Sequence, residues 1–409
     1  MTGGAARGLD FRLARRLGVP CTGLRLEERR ACYPRAGMLT LLASSVLLCA
    51  YTWIGYPLAM YVLSRVRPMS VAQNPEWSPS VSVCMAVHNG AGHVEAKLSS
   101  LLSQAYPADR IEVLVYADGC TDGTVDMVSA ISARDSRVKL LVGATRAGKP
   151  TALNQMRRHA SGEVLVMTDV RQPISLRSFR ALVSALGDER VGCVSGRLIL
   201  EGATGAGFYW TYENWIRHLE ARFRGLVGVT GSLYAVRRAD FAELPADTIL
   251  DDMWIPMRLR LAGKLLLLAS EAEAKDDAIG DAREFSRKAR TLAGNYQLFA
   301  RLPRLLVPFV NPSWFEIVSH KLLRLICPWA LLVLPVATVS ALEARGGHAG
   351  LLASALWLFA ATQVFFLIVA MLGPRAGRVG VLARSFVVLN AAAIVGLWRF
   401  LSGRQQITW

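Results

Sequence analysis

Apolar residues follow two patterns along this chain: short runs broken by polar residues in the middle, and long unbroken runs towards both ends. Val81–His88, Ile111–Ala117, Val138–Val142 and Glu163–Thr168 are short, rich in β-branched residues and nearly continuously apolar, which predicts strands covered on both faces. Val94–Gln104, Thr124–Ala133 and Lys149–His159 carry helical spacing between them. This alternation predicts βαβ units and an α/β domain with a mostly parallel sheet over residues 78–300.

The outer runs predict membrane helices. Met38–Leu63 contains no charged side chain and exceeds the roughly 20 apolar residues that cross a bilayer core. Leu325–Leu342 and Leu351–Leu372 are comparable spans, joined by the polar turn Glu343–Gly350. A fourth candidate, 379–398, is interrupted by Arg384, which would have to snorkel or face protein. Residues 301–320 mix prolines with Trp314 and Phe315 and read as an interfacial segment, with a linker packed on the domain as the alternative.

Charge adds orientation. The net charge is +16, and a basic excess on an apolar chain points to anionic partners such as lipid headgroups or phosphorylated substrates. No nucleic-acid-binding module is recognisable, so nucleic acid is not expected as a partner. Arg65 and Arg67 follow the first span, and Lys321 and Arg324 precede the second. These residues predict a cytoplasmic central domain in a multi-pass protein of the inner (plasma) membrane. Residues 1–37 carry eight arginines on the opposite side. Either this tail is a separate basic element or the natural start is Met38, and we prefer the second. The seven cysteines are scattered without a CxxC pair, which indicates neither a disulfide framework nor a zinc site.

Candidate chemistry gathers at the carboxyl ends of the predicted strands, where open parallel sheets bind ligands. The second strand runs into Asp118-Gly119-Cys120-Thr121-Asp122-Gly123-Thr124, and the fourth into Thr168-Asp169-Val170-Arg171. A carboxylate at a strand tip can hold a base, a ribose or a divalent cation, although Asp-Gly is also common turn chemistry. Downstream lie Thr230-Gly231-Ser232, Leu250-Asp251-Asp252 and the basic run Arg287-Lys288-Ala289-Arg290-Thr291. Pro256 suits the first turn of a helix, which would leave Asp252 just ahead of it. Arg283, Arg287 and Arg290 share a helical face, an arrangement more favourable with an anion present.

These motifs, in this order from about Ser80 to Tyr296, resemble family 2 glycosyltransferases, inverting enzymes of GT-A fold that include cellulose, hyaluronan and chitin synthases. The opening VSVCMAVHNG is similar to the family's first strand and following Asn, and DGCTDGT to its Asp-Gly-Ser-Thr-Asp-Gly-Thr. The resemblance implies a nucleotide-sugar donor, UDP-linked, with Asp118 at the uracil-contacting position and Lys149, in a Gly-Lys-x-x-Ala-Leu-Asn segment, near the donor. It implies that Asp169 and Arg171 occupy the DxD position, that Gly231, Ser232 and Asp251 lie on the acceptor side, and that Asp252 is the catalytic base. Arg287 and Arg290, matching Gln-x-x-Arg-Trp, would bind the donor diphosphate.

Two departures stand out. Arg171 occupies the last DxD position, which normally binds metal. A Mg²⁺ or Mn²⁺ ion would therefore rest on Asp169 and donor oxygens alone, or Arg171 would replace part of its charge. Thr291 replaces the Trp of the processive synthases, which argues against a long polymer. The reaction expected is inverting transfer to a hydroxyl acceptor in cell-surface polysaccharide or glycolipid synthesis, alongside other envelope-polysaccharide proteins. The alternatives are single-sugar transfer to a polyprenyl phosphate or membrane lipid, and an inactive scaffold or export subunit.

Overall fold

The computed structural model describes residues 26–201, 205–277, 281–343 and 350–405, so most of the basic tail and the turn after Glu343 lie outside the described residues. The side chain of Arg283 does too. The chain forms two compact units. The larger runs over Ala50–Trp329 and from Phe366 onward; the smaller joins the chain up to Cys49 with Ala330–Phe365.

At the centre of the larger unit is a seven-stranded sheet. Its strands are β1 (Val81–Val87), β2 (Ile111–Asp118), β3 (Val138–Gly143), β4 (Val164–Thr168), β5 (Val191–Glu201), β6 (Leu233–Arg237) and β7 (Leu265–Asp277), in the order β3-β2-β1-β4-β6-β5-β7. All pairs are parallel except those made by β6, which runs antiparallel to β4 and β5. The four strands expected from the apolar runs are β1 to β4. Every residue of β1 and β4 is buried, as continuous apolarity implies for strands with helices on both faces.

In chain order α1 is Leu26–Ala50, α2 Tyr56–Val66, α3 Ala91–Leu102, α4 Thr124–Ser132, α5 Lys149–His159, α6 Ser178–Leu186 and α7 Gly205–Phe223. Then come α8 (Asp251–Leu261), α9 (Asp281–Arg301), α10 (Leu323–Glu343), α11 (Leu351–Leu372) and α12 (Gly377–Leu401). One core packs Met85, Val113 and Val166 against Leu98, Phe179 and Leu182. The other packs Leu114, Met156 and Leu165 with Tyr234, Ile255 and Met257.

Three helical stretches are long and apolar enough to cross a membrane: Gly37–Val66, Trp314–Glu343 and Leu351–Leu401. Two contain π-helical turns, Tyr51–Gly55 and Ile317–Leu322. The third is broken by a 3₁₀ turn, Gly373–Ala376, across which the rings of Phe366 and Phe386 meet at 5.9 Å. The helix on 379–398 packs against α9, where Gly396 allows a backbone approach that a Cβ would close to 2.9 Å from Ala289 O and Ala293 N. Tyr296 and Phe400 stack at 6.4 Å in the same seam. In the smaller unit Leu42 packs with Leu334, Ala337, Ala341 and Leu356.

The segment at 301–320 is anchored by Leu305, Asn311 and Ser313, all buried, and Arg260 Nε donates to Ser313 Oγ at 2.6 Å. Phe309 is fully exposed beside Val307 and Val310 and has a left-handed backbone (φ 67°).

One local expectation changes. Helix α8 begins at Asp251, and Pro256 lies inside it instead of opening it. Proline at 256 supplies no N–H to the carbonyl of Asp252, four residues earlier. That carbonyl accepts from Val229 N at 3.4 Å. Asp252 is therefore in the first helical turn, tied to the segment before Thr230.

Candidate active site

Asp118 ends β2 fully buried, and both its oxygens are used: Oδ1 accepts from Ala147 N at 2.7 Å and Oδ2 from Gly148 N at 2.9 Å. Gly119 (φ 59°) passes so close to this turn that a Cβ would lie 2.5 Å from Arg146 N. Gly148 (φ 90°) then leads into α5, whose first residue is Lys149. In the structure Asp118 thus acts on the turn that aims Lys149.

Lys149 Nζ donates to Asp169 Oδ1 at 2.9 Å and lies 3.4 Å from Asp251 Oδ1. Burial alone would lower its pKa, but Asp169, Asp251 and Asp252 outweigh it and hold the ammonium above the usual lysine range. Asp251 Oδ2 accepts from the Tyr234 hydroxyl at 2.9 Å. Burial, reinforced by the charges of Asp251 and Asp169 and opposed by Lys149 and Arg290, pushes Asp252 up to about 7. A base near 7 can accept a proton at neutral pH. Gly231 faces Asp252, and a Cβ there would lie 3.1 Å from Oδ2. Ser232 is buried; its Oγ lies 2.9 Å from Thr230 Oγ1, and its carbonyl accepts from Thr168 Oγ1 at 2.7 Å.

The structure separates the residues expected to bind the donor. Arg171 pairs with Asp276 Oδ2 at 2.7 Å, which also accepts from Gln172 Nε2 at 2.8 Å. Arg287 pairs with Glu284 at 2.8 Å, whereas Arg290 donates to Ile249 O at 3.3 Å. Two cavities meet here. One, of about 360 Å³, is lined by Lys149, Asp169, Asp251, Asp252 and Arg290. The other, of about 340 Å³, is lined by Asp252, Thr230, Arg217, Arg287, Lys288 and Lys321 among others. Asp169, Arg171, Gly231 and Asp252 line both. Arg287 and Arg290 therefore face different spaces.

Among the described residues no cluster of three His, Cys, Asp or Glu side chains could hold a metal by itself. Asp169, 41% exposed at its side chain, offers one carboxylate. That fits a hard divalent ion taking its other ligands from a diphosphate and water, as Mg²⁺ does at nucleotide sites.

Three residues were not singled out from sequence. Lys97 is wholly buried, and its ammonium donates to Thr168 Oγ1 at 2.6 Å and Gln172 O at 2.5 Å, on either side of Asp169. Its signal was present: a lysine within the apolar stripe Val94, Leu98, Leu101 of α3. Asp276 and Arg217 gave none, since β7 and α7 bring them to the site from remote sequence.

Residues 82–244 match the family described as Glycosyl transferase family 2. Over 196 residues the chain is 24% identical to a beta-monoglucosyldiacylglycerol synthase of Nostoc sp., covering 45% of this chain and 42% of that protein. It is 28% identical over 139 residues to the glycosyltransferase AglE of Haloferax volcanii, 33% of this chain and 46% of the other. The chain spans less than half the length of these curated relatives. A mannosyltransferase of Pyrobaculum calidifontis, solved with GDP-Man and Mn²⁺, superposes with a TM-score of 0.68 at 27% identity, covering 88% of this chain and 99% of that one. A GT-A sheet with its carboxylates at the strand ends, together with these likenesses, leads to one conclusion: residues 82–244 form a glycosyl transferase family 2 domain.

Proposed function

We propose that the protein transfers a sugar, with inversion, from a nucleoside diphosphate to a hydroxyl acceptor held at the membrane. The observation that carries this reading is the position of Asp252 in the wall shared by two cavities, with Lys149 and Arg290 on one side and Arg217 on the other. A single displacement needs a base between donor and acceptor. The acceptor oxygen attacks C1 of the sugar and its proton passes to Asp252. The C1–O bond to the diphosphate breaks, and its electron pair stays on the departing phosphate oxygen. Lys149 and Arg290 stabilise the charge that develops there. A divalent ion at Asp169 would neutralise more of that charge when bound. Asp251, held by Tyr234 and Lys149, raises the basicity of Asp252 and orients Lys149.

The acceptor-side cavity favours a membrane-held acceptor, because its wall includes Lys321 and Arg324, in the apolar stretch Trp314–Glu343, and Leu389 of α12. The exposed Phe309 with Val307 and Val310 supports the interfacial reading of 301–320. Basic residues flanking the spans support a cytoplasmic catalytic domain in the inner membrane. The test is a thermal-shift screen of the detergent-solubilised protein against UDP- and GDP-sugars, followed by product analysis with the stabilising donor. One donor raising the melting temperature and yielding a single-sugar product is expected. Donor binding without any sugar transfer or hydrolysis would leave the inactive-scaffold reading instead.

A further inference from the structure

We propose that the acceptor carries a phosphate close to the attacked hydroxyl, and that Arg217 is the residue that recognises it. This rests on the transferase reading above. Arg217 lines the cavity beyond Asp252. Its Nη2 donates to Ser195 Oγ at 2.9 Å. Among the described residues it enters no ion pair within 4 Å with a carboxylate. A guanidinium has five N–H donors in a planar fork, so most of this one's capacity is open to the cavity. Burial pulls its pKa down, and the more distant charges of Glu213, Glu220 and Asp252 do not make up the loss. A cation in that state gains most from an anion arriving in the cavity, and phosphate matches the fork bidentately.

The neighbouring wall supports the same ligand. Lys321 lies 3.7 Å from Glu213, a loose pair. Arg324 takes the closer contact to Glu213 at 2.6 Å, and its Nε and Nη2 have no hydrogen-bond partner. Basic groups therefore outnumber the acids beside them on this side of Asp252. Asp252 and Arg217 line the same cavity, so one head group entering it can meet both base and cation. A hydroxyl a few bonds from a phosphate, as in a phosphoglycerol, satisfies both; a neutral alcohol would leave Arg217 facing water alone.

The experiment uses the full chain in detergent with its stabilising donor, and follows nucleoside diphosphate release and sugar transfer. Phosphatidylglycerol and glycerol 1-phosphate are compared with diacylglycerol and glycerol, which carry hydroxyls without phosphate. At least one phosphate-bearing acceptor should have a KM about tenfold or more below that of its neutral counterpart. Preference for the lipid identifies a membrane headgroup; equal use of glycerol 1-phosphate identifies the phosphate alone. Arg217→Gln should erase the preference when transfer is normalised to each variant's donor hydrolysis, and Arg217→Lys should restore part of it. Equal use of neutral and phosphate-bearing acceptors, no stimulation by either phosphate-bearing acceptor, or a preference unchanged in Arg217→Gln would overturn the proposal while leaving the transferase reading intact. Absence of donor turnover in the wild type would overturn both.

Discussion

Arg171 donates to Asp276 at 2.7 Å, joining the loop after β4 to the end of β7. The Arg171 cation thus has a carboxylate of its own, supplied from more than a hundred residues downstream. Asp169 remains the exposed carboxylate of that segment. If Asp169 meets the donor's cation, Asp169→Asn should reduce transfer by about 10²-fold or more. Arg171→Gln should retain transfer within about tenfold. Because Arg171 is 42% exposed, its loss should cost about 1 kcal/mol of stability, well below the figure for a fully buried pair. Initial rates across a Mn²⁺ and Mg²⁺ titration, with urea unfolding of each variant, check both statements.

The pH dependence follows from Asp252. With its pKa near 7, the base is protonated in acid and free above neutrality. Initial rates at low donor and acceptor should therefore rise through about pH 7 and level off above it. Asp252→Asn should lower transfer by about 10²- to 10⁴-fold while donor binding survives. The stability sign is opposite to that of an ordinary salt-bridged acid. Its folded pKa lies above the unfolded one, so the folded state holds more protons between about pH 4 and pH 7. This residue's contribution to stability therefore falls as pH rises through that window. Asp252→Asn should accordingly melt higher than the wild type at pH 8, and a lower melting temperature there would contradict the assigned environment.

Gly231 tests the geometry of the same base. An alanine Cβ would stand 3.1 Å from Asp252 Oδ2, close enough to displace the carboxylate by a few tenths of an ångström. Gly231→Ala should lower kcat by about tenfold or more with donor affinity nearly unchanged, since small misplacements of reacting groups are costly. Single-turnover rates with donor binding measured in parallel would show the split.

Lys97 offers a different readout. It donates to atoms on both sides of Asp169 and touches neither cavity. Lys97→Met should loosen that loop and raise the donor KM about tenfold while kcat falls less. A kcat loss with an unchanged donor KM would remove Lys97 from the positioning of Asp169.

The seam between α9 and α12 should be sensitive to bulk. At Gly396 the added carbon meets backbone atoms, which cannot rotate away. Gly396→Val should destabilise the protein by about 1–3 kcal/mol. Because α9 carries Arg287 and Arg290, activity should fall together with the melting temperature.

The sequence by itself determined the parts of this protein that are written locally. Continuous apolarity marked β1 to β4, although only β1 and β4 are buried throughout and the edge strand β3 is only partly covered. Unbroken apolar runs marked the long helices, whose apolar surface is mostly exposed within the protein itself. Strand-end chemistry marked Asp118 and Asp169 as candidates, and the resemblance of short ordered motifs marked Lys149 and Asp252. Tertiary structure decided what these groups contact. It turned both oxygens of Asp118 onto the Ala147–Gly148 turn and gave Arg171 to Asp276. It also divided Arg287 from Arg290 and brought Arg217 in from α7. Electrostatic pairing and desolvation depend on distance in space, which the antiparallel insertion of β6 and the return of β7 rearranged. The identity of the charged residues was local; the balance of charge around Asp252 was set only when the chain folded.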